Sequence, residues 1–106
     1  MASGRLGAEN LLADTNTTLY TVPTSTFAIT SVSIVNRGNQ AISIRLAVAD
    51  LDTPTAAEYI EYETEIMPKG VLERTGIALG AGQKLVVRSS AANTTAVAFG
   101  VETPTA

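Results

Sequence analysis

The stretch FAITSVSIVNRGNQAISIRLAVAD, residues 27–50, decides the fold class. Two runs of alternating apolar and small polar residues flank Asn36-Arg37-Gly38-Asn39. Val32 and Ile34 share one side of the first run, with Ser31 and Ser33 on the other. In the second run Ile42, Ile44, Leu46 and Val48 share a side, opposite Ser43 and Arg45. A period of two belongs to a pleated strand, whose successive side chains leave the backbone on opposite faces. Asn and Gly tolerate the positive φ that a tight reversal demands. The pattern predicts a long antiparallel hairpin with one buried face.

The rest of the chain repeats this grammar. TTLYTV (17–22) is a strand ended by Pro23, which lacks a ladder donor. DLDTPT (50–55) is a loop, and Ala56, Ala57 and Glu58 can open a short helical turn. YIEYETEIM (59–67) puts Ile60, Tyr62, Thr64 and Ile66 on one face and Tyr59, Glu61, Glu63 and Glu65 on the other. After Pro68-Lys69-Gly70, VLERTGIAL (71–79) reads as a strand interrupted at Gly76 by a bulge or close backbone approach. QKLVVRSS (83–90) sets Lys84, Val86 and Arg88 opposite Leu85 and Val87. The last strand, 95–102, is expected to turn Val97, Phe99 and Val101 inward and Ala96, Ala98 and Gly100 outward.

Residues 1–16 carry Leu6, Leu11 and Leu12 among small and polar neighbours, and read as an extended N-terminal arm. Seven or eight strands spaced by Gly, Pro and Asn turns, with no helical pattern, mean an all-β protein, a β-sandwich or a small barrel. Long strands with loops of uneven length favour an antiparallel, jelly-roll-like β-sandwich. Residues 17–106 then form a single β-sandwich domain behind the arm.

With 106 residues the chain is one domain, able to bury roughly 65% of the surface its unfolded form exposes. Charged residues are sparse, at 16%, and the formal net charge is −3. Its few basic residues are scattered and form no stripe that could neutralise phosphates, which argues against nucleic-acid binding. The first ten residues lack an apolar core of signal-peptide length, and no apolar run approaches the ~20 residues of a membrane span. The expectation is a soluble protein made in a cytoplasm, with no membrane partner.

The chain has neither histidine nor cysteine. That removes the usual general base, the commonest neutral metal ligand and every thiolate. Gly80 and Gly82 lie between strands, so no glycine-rich loop precedes a helix to cradle phosphate. Residue chemistry therefore argues against an enzyme and calls for no cofactor or metal. Three glutamates, Glu61, Glu63 and Glu65, recur along one strand face and could meet a hard cation or a basic partner. A solvated outer face that discourages edge pairing is the preferred reading, since a calcium site needs oxygens converging from several directions. Tyr20, Tyr59 and Tyr62 could offer a sugar-stacking surface, although aromatics make up only 5% of the chain.

Six phrases occur in order along the chain: SGRLG at 3–7, NTTLYTVP at 16–23, VNRG at 35–38, YIEY at 59–62, GVLERTG at 70–76 and SSAAN at 89–93. In this set the chain resembles a group of small virion structural proteins of tailed bacteriophages. The resemblance implies a capsid- or tail-associated β-sandwich, often a homotrimer, with no catalytic residues to carry over. Its expected role is that of a capsid decoration (cement) protein on the outer surface of the virion, bound to the major capsid protein and to itself. The alternative is a tail, neck or head-fibre component that presents loops to a host surface. Expected protein contacts are Arg5, Leu6, Leu11 and Leu12 on the arm and Arg37 at the hairpin tip. Glu73 and Arg74 complete the set, since an arginine pair across a subunit boundary would set register.

Overall fold

The computed structural model describes residues 3–105. Its strands are β1 (Ser3–Leu11), β2 (Thr17–Thr21), β3 (Thr26–Asn36), β4 (Ile42–Ala49), β5 (Tyr59–Ile66), β6 (Val71–Leu79), β7 (Lys84–Ser89) and β8 (Thr94–Pro104). One 3₁₀ turn, Ala56–Glu58, stands where the sequence places a short helical turn. The strands form two antiparallel four-stranded sheets packed face to face, ordered β1-β8-β3-β6 and β2-β7-β4-β5. The protein is an all-β sandwich.

Pairing is nested: β1 with β8, β2 with β7, β3 with β6 and β4 with β5. The contacts β3·β8 and β4·β7 join these pairs into sheets. Only the β4–β5 connection stays within one sheet; every other one passes between sheets. The expected hairpin over residues 27–50 is therefore corrected. Its two runs are strands with the predicted faces, but β3 and β4 lie in opposite sheets. Val32 and Ile34 face Ile42, Ile44 and Leu46 across the interior, all of them buried. Alternation states which side chains share a face, and is silent about which strand lies alongside.

Asn36, at the end of β3, explains why the chain arches over instead of reversing. Its side chain is buried; Nδ2 donates to the carbonyls of Gln40 (2.7 Å), Ile66 (3.1 Å) and Met67 (3.2 Å). Its Oδ1 accepts from the Gly38 amide at 3.0 Å. One carboxamide thus satisfies backbone groups of the 37–41 arch and of the β5–β6 turn, which a buried loop cannot leave unpaired.

The face assignment of the last strand is also corrected. Ala96 and Ala98 are fully buried, whereas Phe99 and Val101 are exposed. In register, Ala96 lies beside Ile34 and Ala98 beside Val32. β8 is an inner strand, and its alanines share one buried cluster with Leu85 and Val87 of the opposite sheet. Large residues on one sheet facing small ones on the other keep the interior close-packed at the sheet spacing of about 10 Å.

The expected arm is extended, but residues 3–11 are the edge strand of the first sheet, paired along β8. Leu11 is in the core and Leu6 packs against it, so removing residues 2–12 would strip a strand from the sandwich. Met1, Ala2 and Ala106 lie outside the described residues.

Each edge strand carries an extra residue against its inner neighbour. These are Leu6 on β1, Leu19 on β2, Ile60 and Glu63 on β5, and a residue of the Thr75-Gly76 step on β6. Gly76, with φ +70°, supplies the left-handed conformation that its bulge requires, as the sequence predicts. Glu63 holds a φ of 53°.

Candidate functional site

The Glu63 bulge dissolves the acidic row. Glu61 turns toward the sandwich edge, where it accepts from Thr64 Oγ1 at 2.7 Å and forms an ion pair with Arg74. Arg74 also donates to the Ile60 carbonyl at 3.2 Å, so a β6 side chain ties the first sheet to the second. Glu63 instead accepts from Arg45 at 2.8 Å on the outer surface. Among the described residues, no three acidic side chains converge on a point that could hold a metal ion.

The expected contact residues separate. Leu11 is core, Leu6 is half-buried against it, and Arg74 is occupied within the chain. Arg37 donates to Asn10 Oδ1 at 2.6 Å and links the 37–41 arch to β1. Leu12, 65% exposed, and the exposed Arg5 and Glu73 remain on the surface.

The two outer faces of the sandwich differ. On the second sheet the 50–58 loop folds back over the strands. Asp52 accepts from Thr18 Oγ1 at 2.5 Å and lies 4.0 Å from Lys84 Nζ. Glu58 closes the loop by accepting from the amides of Thr55 (2.8 Å) and Asp50 (3.1 Å), which holds its carboxyl below the usual range. Beneath this cover Ala47 and Val86, which point outward from their strands, are buried.

Beside the loop stands an aromatic cluster. The Tyr59 and Tyr62 rings meet edge to face with centroids 5.0 Å apart, and Arg45 lies 4.5 Å over the Tyr62 ring. Ala56, Tyr59 and Tyr62 line an open cleft of about 490 Å³. Tyr20, the third candidate for a stacking surface, is buried; its hydroxyl donates to Glu102 at 2.5 Å.

Among the described residues, none forms such a cover over the first sheet. Phe27, Ile29, Phe99 and Val101 are each 39–48% exposed on its outer face. Ile29 is directly beside Val101 and Phe99 beside Ser31, so they form one continuous apolar patch. Small side chains, Ser31 and Ser33 on β3, Ala78 on β6 and Ala8 on β1, flank this patch on the same face. Sequence reasoning missed this patch because it sent the larger residues of 95–102 inward. The signal lies in β3 itself. Phe27 and Ile29 occupy odd positions while Val32 and Ile34 occupy even ones, so the strand is apolar on both faces.

Comparison with protein-family models, curated proteins and solved structures found no match.

Proposed function

We propose that this protein is a structural component of a bacteriophage virion, a decoration (cement) protein on the outer surface of the capsid. It binds there at junctions between major capsid subunits and to other copies of itself. The reading starts from the ordered phrases at 3–7, 16–23, 35–38, 59–62, 70–76 and 89–93. The nested pairing β1·β8, β2·β7, β3·β6, β4·β5 supports a jelly-roll reading of the sandwich and suits the proposal. The observation that carries it is the uncovered apolar outer face of β3 and β8, on a chain whose other outer face is covered by its own loop. A part that works by burying surface needs such a face. Repetition over a lattice turns modest contacts into stable attachment.

Cryo-electron microscopy of the virion carrying this chain tests the assignment. On the order of hundreds of copies at capsid subunit junctions is the expected result, since avidity needs a repeated lattice. Absence from the particle refutes it.

The Tyr59–Tyr62–Arg45 cleft favours a second reading, a tail, neck or head-fibre component that binds host-surface glycans. A sugar ring can lie against the half-exposed Tyr62. Copies confined to the tail or neck, together with glycan binding lost in Tyr62→Ala, would establish this reading in place of the first.

A further inference from the structure

We infer that the outer face of the sheet β1-β8-β3-β6 is a two-fold interface between copies of this chain, with β3 of one copy lying over β8 of the other. The route by which sandwiches most readily associate is obstructed. A strand edge recruits another strand through its free amides and carbonyls, and all four edge strands here are interrupted by bulges. The face is what remains, and it is apolar.

The occupant follows from the register. The first four residues of the outer row of β3, before Val35, run large, large, small, small: Phe27, Ile29, Ser31, Ser33. Beside it, level by level, β8 presents Thr103, Val101, Phe99 and Val97. Consider a second copy turned about an axis parallel to the strands and midway between β3 and β8. Each level of β3 then lies over the same level of β8 in the partner. Phe99 falls over a serine, Ser31, and Phe27 over a threonine, Thr103. The face is thus complementary to itself, as an isologous contact requires.

Charge agrees with shape. The same rotation lays β6 over β1. Arg5 on β1 sits at the level of Phe99, and Glu73 on β6 at the level of Ser33, one step away. That step is about 7 Å along a strand, within reach of an extended arginine. Among the described residues neither Arg5 nor Glu73 is in an ion pair within its own chain.

The area suffices. β3 and β8 are 11 residues long in a four-stranded sheet. At ~3.4 Å per residue and ~4.8 Å per strand, the face measures roughly 37 by 19 Å, or about 700 Å². Two faces together bury about 1,400 Å², inside the range of about 1,200–2,000 Å² used by specific, stable pairs.

Sedimentation equilibrium on the full chain tests the pairing. The expected mass is twice the chain mass of 11.0 kDa. Phe99→Asp, which would bury a charge in the contact, weakens association at least ~100-fold. Arg5→Glu and Glu73→Arg singly weaken it by roughly 3–10-fold, and the double exchange restores it to within about 2-fold. All three positions are exposed in one copy, so the circular dichroism of each variant remains that of the parent chain, and the urea midpoint does so at dilutions where the parent is itself monomeric, since pairing adds apparent stability by mass action. A species of 11.0 kDa at about 100 µM overturns the inference, as does a three-copy mass. Association indifferent to Phe99→Asp, or a double exchange no better than the single ones, overturns it too. None of these outcomes bears on whether the protein resides in a virion.

Discussion

Replacing Asn36 by Asp keeps the shape of a buried side chain and removes its donors. In the native chain Nδ2 faces three carbonyl oxygens, those of Gln40, Ile66 and Met67, at 2.7–3.2 Å. An aspartate there sets a carboxylate oxygen against those same three acceptors with no hydrogen to share. Two donor hydrogens are lost from a fully buried site, at about 1–3 kcal/mol for each partner left unsatisfied. The burden of a buried charge places the sum at about 3–5 kcal/mol. A chain of this length has about 5–15 kcal/mol in total, so the loss is a large share of its stability. With a urea slope of roughly 1–1.5 kcal/mol per M, the midpoint at pH 7 falls by about 2–5 M. Far-UV circular dichroism follows the transition. Asn36→Ala, which removes the amide without adding charge, is expected to cost less at pH 7. Protonation relieves the charge, so the folded state raises the new carboxyl's pKa. Stability is then retained at low pH and lost as pH rises, and the two variants converge near pH 4. An Asn36→Asp midpoint within 0.5 M of the parent, or one independent of pH, would refute the view of Asn36 as the buried tie between the 37–41 arch and the β5–β6 turn.

The hydrogen bond from Tyr20 to Glu102 sits in a partly buried site, and burial together with the neighbouring carboxylate raises the phenol's pKa. A raised folded-state value means the contribution is complete below the unfolded pKa of about 10 and is lost as pH climbs above it. Tyr20→Phe should therefore cost about 1–2 kcal/mol at pH 7 and show a shallower decline above pH 10 in urea titrations. The Arg74–Glu61 pair joins the two sheets at an edge where Arg74 is 43% exposed, so a double-mutant cycle with Arg74→Met and Glu61→Gln should give a coupling of only about 0.5–1 kcal/mol. A coupling above 2 kcal/mol would mean that the pair is more shielded from water than its exposure implies. Gly7 lets β1 approach β2 so closely that an added Cβ would lie 2.1 Å from the Leu19 carbonyl oxygen. Gly7→Ala should cost about 1–3 kcal/mol by calorimetry. Gly76→Ala, which has open space but a left-handed backbone, should cost closer to 1 kcal/mol.

The sequence by itself determined seven of the eight strands, β2 to β8, the buried rows of β3 and β4, the bulge at Gly76 and the short turn at Ala56–Glu58. These are local matters: side-chain period, glycine's left-handed freedom and proline's missing donor act within a few residues of their cause. Tertiary structure alone decided that Phe27-to-Asp50 alternation builds two facing strands, because pairing depends on partners many residues away. It also decided which face of β8 is inside. Beside Ile34 and Val32, and in one cluster with Leu85 and Val87, these β8 positions hold alanine, and close packing leaves no space there for a larger side chain. The large side chains of β8 are displaced outward by that packing limit. Together with Phe27 and Ile29 they form a broad apolar face that none of the described residues covers. Residue period shows β3 apolar on both faces, but which face of β8 joins that surface is set by the volume left by the opposite sheet.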